Sequence, residues 1–143
     1  MTVIPLRYVV DASVGIKLFV DEDYSDRVHT LFEQLTADIP AILYVPDLFY
    51  IECTNILLKY TRRFGRSLED SRADLLDLGR LALRVVSTAE LMENALLLAA
   101  ERGITAYDAC YAVLASQLDL PLITADERLV KAVSALWIGA LEI

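Results

Sequence analysis

This chain of 143 residues contains a single histidine, and cysteine, proline and glycine are also scarce. A single histidine excludes ribonuclease chemistry that depends on a pair of histidines. It is His29, which lies in a polar helical stretch, so we expect a surface residue and not a catalytic base. The two cysteines, Cys53 and Cys110, lie far apart in apolar helical patterns. That arrangement is typical of buried thiols in a reducing compartment, not of metal ligands.

Long uninterrupted apolar runs are missing as well, although 56% of the residues are hydrophobic. Charged residues interrupt every run before it reaches the ~18 residues needed to span a bilayer. The first ten residues contain Pro5 and Arg7 and lack the basic head and apolar stretch of a secretory signal. These patterns predict a soluble, cytoplasmic protein. Because no repeat or linker-like segment divides the chain, we expect one domain over residues 1–143.

Basic residues are fewer than acidic ones, 13 against 21, and the formal net charge is −8. This balance argues against a broad basic surface for nucleic acid. It is also what a cluster of metal-binding carboxylates produces, because hard divalent cations take oxygen ligands. The high apolar fraction further suggests that a partner, either another copy or a different protein, covers part of the surface.

Short β-rich runs alternate with longer helical patterns, which predicts an α/β fold with a parallel sheet flanked by helices. The expected strands are Arg7 to Val10, Ile42 to Val45, Leu83 to Val86, Leu122 to Thr124 and Ile138 to Glu142. The expected helices are Ala12 to Val20, Tyr24 to Ala37, Asp47 to Phe64, Leu68 to Leu81, Thr88 to Arg102, Ala106 to Leu118 and Glu127 to Leu136. Capping signals stand at Ser67 and Ser87, and helix-ending glycines at Gly65 and Gly103.

Two acidic residues each follow a predicted strand directly. Asp11 comes after Tyr8-Val9-Val10, and Asp126 ends Leu122-Ile123-Thr124-Ala125-Asp126. Sites in open α/β sheets form beyond the carboxyl ends of the strands, so both carboxylates are candidates for one site. The alternative is that each merely caps the helix that follows, and the two roles can coexist.

Two further acidic residues lie within predicted helices. Asp108 shares a helical face with Tyr111, Ala112 and Ala115, which places a carboxylate in line with core-type side chains. A bound cation would compensate such burial, although Thr105 to Asp108 also has capping-box spacing. Glu52 lies beside an apolar helical stripe, and its ordinary interpretation is an exposed, solvated side chain. Converging carboxylates would repel one another, so the set is chemically sensible chiefly as a metal site.

Four segments, in this order along the chain, resemble the four motifs of PIN domains, particularly VapC-like toxins. They are Val10-Asp11-Ala12-Ser13, Val45 to Leu57 with Glu52 and Asn55, Thr105-Ala106-Tyr107-Asp108-Ala109 and Leu122-Ile123-Thr124-Ala125-Asp126. One such motif would carry little weight, whereas four with fitting spacing are specific. The resemblance covers nearly the whole chain.

This resemblance implies a PIN-like three-layer sandwich with a central five-stranded parallel sheet. It also implies an endoribonuclease that depends on Mg²⁺ or Mn²⁺, frequent homodimers and often a cognate antitoxin protein. The catalytic and metal-binding positions fall on Asp11, Glu52, Asp108 and Asp126. The polar supports of the site fall on Ser13, Asn55 and Thr124.

One basic segment stands out from the acidic chain, Lys59-Tyr60-Thr61-Arg62-Arg63-Phe64-Gly65-Arg66. If the substrate is RNA, its side chains Lys59, Arg62 and Arg63 are candidate phosphate contacts. The alternative is a helix carboxyl end complemented by cations, with Tyr60 and Phe64 in the core. Both interpretations are open on the sequence.

Two other acidic-site α/β classes do not fit the residues. A haloacid-dehalogenase-like phosphotransferase needs a second Asp two places after the first, where Ser13 stands. A response-regulator receiver needs an Asp after the central strand, where Ser87 and Thr88 stand. The remaining rival is a non-catalytic module that keeps the fold and binds protein or RNA without cutting it.

Overall fold

The computed structural model describes residues 4–133 and 140–142. Four strands lie in the first range: β1 (Arg7–Val10), β2 (Ile42–Pro46), β3 (Arg84–Val86) and β4 (Leu122–Thr124). They pair in parallel in the order β3-β2-β1-β4, and β5 (Ala140–Glu142) pairs in parallel with β4. The strand expected at Ile138 to Glu142 thus lies partly outside the described residues. So do parts of the expected single domain, which stays a prediction.

Helices flank this sheet, which confirms the expected α/β architecture. They are α1 (Ala12–Gly15), α2 (Ser25–Glu33), α3 (Leu48–Phe64), α4 (Leu68–Arg80), α5 (Met92–Arg102), α6 (Ala106–Leu118) and α7 (Glu127–Val133). Three expected helices are shorter than predicted because part of each is a 3₁₀ turn, at Ile16–Leu18, Gln34–Thr36 and Thr88–Glu90. The predicted extension of the last helix to Leu136 lies outside the described residues.

Most of the predicted helix boundaries have the expected chemistry. The Ser67 hydroxyl accepts a hydrogen bond from the Asp70 amide at 3.0 Å. Gly65 and Gly103 end their helices with φ of 70° and 67°, a conformation that costs glycine little. The predicted cap at Ser87 is wrong. Its hydroxyl makes no capping bond, because the backbone carbonyl of Ser87 already accepts from the Glu90 amide at 3.1 Å in a 3₁₀ turn.

The hydrophobic core surrounds α6, whose residues from Ala109 to Ala115 are all buried. A helix that is buried on every side lies at the centre of its domain, here against β1 and β2. Both cysteines are buried and free, as predicted, and His29 is exposed on α2. None of the helices in the described part of the chain is long and apolar enough to cross a membrane.

A glycine determines how closely α1 approaches α3. A Cβ atom built on Gly15 would lie 2.6 Å from Cζ and 2.8 Å from Cε2 of the Phe49 ring. These distances are far shorter than ordinary van der Waals contact, so only glycine fits without a shift of the ring or of the helix. Because α1 follows β1 directly and α3 carries Glu52, this packing sets the position of Glu52 relative to the end of β1.

We expect Gly15→Ala to destabilise the fold by about 1–3 kcal/mol, since the added methyl overpacks against Phe49. Gly79→Ala in α4 is the matched control. No atom lies within 4 Å of a Cβ built there, and alanine favours a helix over glycine by up to about 1 kcal/mol. Urea unfolding should therefore give opposite signs for the two substitutions. A neutral or stabilising effect of Gly15→Ala would contradict the close packing of α1 on α3.

Candidate active site

Asp11 lies at the carboxyl end of β1, and its side chain is only 5% exposed. Its two carboxylate oxygens accept hydrogen bonds from the hydroxyls of Ser13 and Thr124 and, at 3.2 Å, from the Val14 amide. The Ser13 hydroxyl in turn accepts from the Ala125 amide at 3.1 Å. These bonds join the ends of the neighbouring strands β1 and β4. Asp11 is therefore a helix cap and a buried carboxylate at the strand ends at once.

Burial raises the pKa of Asp11 to about 6, from an ordinary value of 3.8. The three hydrogen bonds oppose this rise because they stabilise the charged form, and the negative charge of Asp108 adds to it. The donors therefore do not fully compensate the lost hydration of the carboxylate. A positive charge nearby would complete the compensation.

Asp126 lies just beyond β4 and caps α7. Its Oδ1 atom accepts from the amides of Arg128 at 2.9 Å and Leu129 at 3.4 Å, which confirms the capping role considered from the sequence. Its own amide donates to the Thr124 hydroxyl at 3.0 Å, the same hydroxyl that donates to Asp11. Thr124 thus connects the two acidic residues that end neighbouring strands.

Glu52 lies on α3 and is half-buried, which differs from the solvated side chain considered as its ordinary interpretation on the sequence. Its Oε1 atom accepts a hydrogen bond from the Tyr111 hydroxyl at 2.5 Å. Burial raises the pKa of Glu52, and the charges of Asp108 and Asp11 raise it further, while the bond from Tyr111 lowers it. The carboxylate is therefore held within electrostatic reach of two others.

Asp108 occupies the first turn of α6, where its amide donates to the Thr105 hydroxyl at 3.1 Å. Burial raises the pKa of its half-buried carboxyl group, and so does the charge of Asp126. A hydrogen bond from Thr105 and the positive charge of Arg128 lower it. Thr105 is thus the residue that caps α6, while the Asp108 carboxylate interacts with the charges of Asp126 and Arg128.

Another acidic residue at this edge of the sheet behaves differently. Asp47 follows β2, and its carboxylate accepts from both the hydroxyl and, at 2.9 Å, the amide of Thr88. These bonds, the hydroxyl's above all, lower the pKa of Asp47. Its carboxylate is thus satisfied by the chain and joins the ends of β2 and β3, whereas the carboxyl groups of Asp11, Glu52 and Asp108 have raised pKa values.

The acidic cluster of Asp11, Glu52, Asp108 and Asp126 has the donor type that Mg²⁺ and Mn²⁺ prefer, carboxylate oxygens in excess of positive charge. There is open space beside it, since Glu52 lines a pocket of about 380 Å³ and Asp108 and Asp126 line another of about 300 Å³. In residues 4–133 and 140–142, no three His, Cys, Asp or Glu side chains are yet close enough to hold one ion together. The donor set fits a hard cation, and binding would have to draw these carboxylates inward.

The predicted polar supports divide into two kinds. Ser13 and Thr124 contact Asp11 directly, whereas none of the described hydrogen bonds joins Asn55 to a carboxylate of the cluster. Asn55 is exposed and lines the same pocket as Glu52. The contact of Tyr111 with Glu52 was missed on the sequence. It joins residues 59 positions apart, and the pattern of α6 identified Tyr111 only as a core-type side chain.

The basic segment lies at the end of α3. Lys59, Arg62 and Arg63 are exposed and, with Asn55, line an open pocket of about 240 Å³ next to that of Glu52. The alternative that put both aromatics of this segment in the core is wrong for Phe64, which is 67% exposed. A cation-lined surface therefore continues from the acidic cluster along α3.

A family model described as PIN domain matches residues 8–134. The chain belongs to the PIN-domain family. It is also 35% identical over 134 residues to Ribonuclease VapC3 of Pyrobaculum aerophilum, an overlap that covers 92% of this chain and 98% of that protein. The likeness therefore covers nearly all of both chains.

Solved structures support the same fold. The crystal structure of PAE2754 from Pyrobaculum aerophilum has a TM-score of 0.70 at 26% identity, covering 96% of this chain and 83% of that one. VapC20 of Mycobacterium tuberculosis, a toxin that cleaves the sarcin-ricin loop, has a TM-score of 0.62 at 19% identity, covering 87% and 94%. A toxin-antitoxin complex from Klebsiella pneumoniae has a TM-score of 0.64 at 16% identity, and the match covers 95% of this chain and 99% of that one. The last two likenesses concern the fold alone.

The raised pKa of Asp11 predicts how stability depends on pH in the metal-free protein. Because the folded state binds this proton more tightly than the unfolded state, the free energy of unfolding should fall as pH rises from about 4 to about 6. The contribution of this one group is roughly 2–3 kcal/mol. Urea unfolding of the wild type and Asp11→Asn, both in EDTA, would isolate it. The wild type should lose stability relative to the variant across this range, and a pH-independent difference would contradict the assignment.

Proposed function

We propose that this PIN domain is a Mg²⁺- or Mn²⁺-dependent endoribonuclease that hydrolyses RNA phosphodiester bonds, and that it is the toxin of a toxin-antitoxin pair. The observation that carries the proposal is that Asp11, Glu52 and Asp108 are withdrawn from water within reach of one another's charge. Burial raises the pKa of each, and the charge of Asp108 raises the pKa of Asp11 and of Glu52 further. The ribonuclease name of its 35% identical relative supports the activity. The complex from Klebsiella pneumoniae supports an antitoxin partner.

The proposed metal ligands, and the proposed catalytic residues, are Asp11, Glu52, Asp108 and Asp126. When bound, Mg²⁺ or Mn²⁺ supplies positive charge to the attacked phosphate and lowers the pKa of a water molecule. The carboxylates of the chain orient this centre and lose their mutual repulsion as they bind.

Other side chains of the chain hold these carboxylates in place. The hydroxyls of Ser13 and Thr124 fix Asp11, and we propose both as supporting residues. Asn55 is proposed as a support on the substrate side, because it lines both the pocket of Glu52 and that of the basic segment. The chemistry requires no histidine, and His29 is exposed on α2.

We further propose that Lys59, Arg62 and Arg63 bind RNA phosphates. They are exposed on the surface that continues from the Glu52 pocket, so a strand entering the site could follow α3. In a chain with net charge −8, such a local cluster is where a polyanion can approach. A homodimer, a cytoplasmic location and the full three-layer sandwich with five strands complete the proposal.

The alternative is a non-catalytic PIN-fold module that binds a protein or RNA. It is favoured by one observation, that no three acidic side chains within the described residues are close enough to share an ion. The two functions differ in their response to metal, because only the nuclease needs a cation to complete its site.

Mn²⁺ should raise the melting temperature of the wild type, since a ligand that binds only the folded state stabilises it by mass action, by about 2.7 kcal/mol at a hundred times Kd. Asp108→Asn removes a proposed ligand, so it should lose most of this shift and all Mn²⁺-dependent RNA cleavage. The control is Asp38→Asn, an exposed residue ahead of the amino end of β2, remote from the cluster. EDTA should abolish cleavage by the wild type. Cleavage by Asp108→Asn at the wild-type rate would contradict the proposed site. Cleavage by the wild type in the presence of EDTA would contradict the proposed metal dependence.

Replacing Arg62 and Arg63 together by alanine should weaken RNA binding and flatten its dependence on salt, because two phosphate contacts and their counterion release are lost. The matched control is Arg7→Ala with Arg84→Ala, which makes the same change in net charge at the amino ends of β1 and β3. Binding is measured by fluorescence anisotropy with a labelled RNA at several salt concentrations. Equal losses in both double variants would mean that net charge, not contact, explains the effect.

A further inference from the structure

Tyr111 makes a contact with the acidic cluster that the proposed mechanism has not used. It lies one turn after Asp108 on α6, is 1% exposed and donates its hydroxyl hydrogen to Oε1 of Glu52 at 2.5 Å. Among the described hydrogen bonds it is the one that reaches the Glu52 carboxylate. The bond therefore ties Glu52 on α3 to the central helix that also carries Asp108.

The hydrogen bond between Tyr111 and Glu52 is suited to orienting Glu52 as a metal ligand. A carboxylate has two oxygens and about four acceptor sites, so one bond from a phenol fixes its plane and leaves acceptor sites for a cation. The partner must remain protonated to donate. A phenol, with an ordinary pKa of about 10, meets this condition throughout the neutral range.

The alternative role for Tyr111 is packing alone. Its ring lies in the core, and a buried tyrosine hydroxyl needs some partner wherever it lies. The ring of Tyr111 packs in the core, whereas its hydroxyl orients Glu52. Replacement by phenylalanine keeps the first and removes the second.

We propose that Tyr111 is a positioning residue of this site, whose hydroxyl orients the Glu52 carboxylate so that it can share a divalent cation with Asp108 and Asp11 once these side chains are drawn together. This inference rests on the proposed function. Groups that orient metal ligands in this way typically change metal affinity by about 10- to 100-fold when they are removed.

The test is a Mn²⁺ titration of Tyr111→Phe, followed by the electron paramagnetic resonance signal of free Mn²⁺. We expect Kd for Mn²⁺ to rise at least about tenfold. Tyr60→Phe is the matched control, because the Tyr60 hydroxyl also donates to a glutamate, Glu22, which is not part of the acidic cluster. It should bind Mn²⁺ as the wild type does. Unchanged Mn²⁺ affinity in Tyr111→Phe, or equal losses in both variants, would overturn the proposal.

A double-mutant cycle with Glu52→Gln separates positioning from a general loss of stability. If the hydroxyl acts through Glu52, Tyr111→Phe should cost little further Mn²⁺ affinity in the Glu52→Gln background, whereas independent, additive losses would contradict this.

Should Tyr111→Phe fail to fold, Glu52→Asp serves instead, because it withdraws the carboxylate from Tyr111 by one methylene. Unchanged Mn²⁺ affinity in Glu52→Asp overturns the proposal. If the wild type itself does not bind Mn²⁺, the proposed function fails, and the inference with it.

Discussion

The burial of one carboxylate, that of Asp11, is the constraint on which the site depends. Its hydrogen-bond donors come from the turn after β1 and from β4, so the charge can be buried only when the two strand ends meet. None of the ion pairs in the described part of the chain involves it. Neutral donors reduce the cost of burial without cancelling it, which is why its pKa stays raised. The candidate site is thus organised around a negative charge whose burial the donors of the chain do not fully offset.

The rest of the architecture brings further acidic groups to this charge. The parallel sheet places Asp11 and Asp126 at the same edge, because the carboxyl ends of neighbouring parallel strands coincide. Glu52 lies on the long helix α3, and Asp108 lies on the long helix α6. How near α3 comes depends on Gly15, where a side chain would strike Phe49. A small residue in the core therefore controls the spacing of a polar site.

Much of this could be predicted from local sequence. Strands β1 and β4 and helix α6 have the predicted bounds, because each is a compact apolar run with a strong boundary residue. Capping, considered as the alternative role of Asp11 and Asp126, is present in both, since a residue that follows a strand directly can accept from the first amides of the next helix. The 3₁₀ turns and the bond of Tyr111 to Glu52 could not be predicted. The turns reflect small differences in hydrogen bonding, and the bond depends on how two distant helices pack.

The most direct test of the account is a crystal structure of the wild type grown with Mn²⁺, with data collected at the manganese absorption edge. The account predicts an anomalous peak among the side chains of Asp11, Glu52, Asp108 and Asp126, with carboxylate oxygens drawn to bonding distance. It also predicts that the Tyr111 hydroxyl remains on Glu52. A structure with Mn²⁺ elsewhere, or with these carboxylates unmoved and free of metal at saturating Mn²⁺, would contradict it.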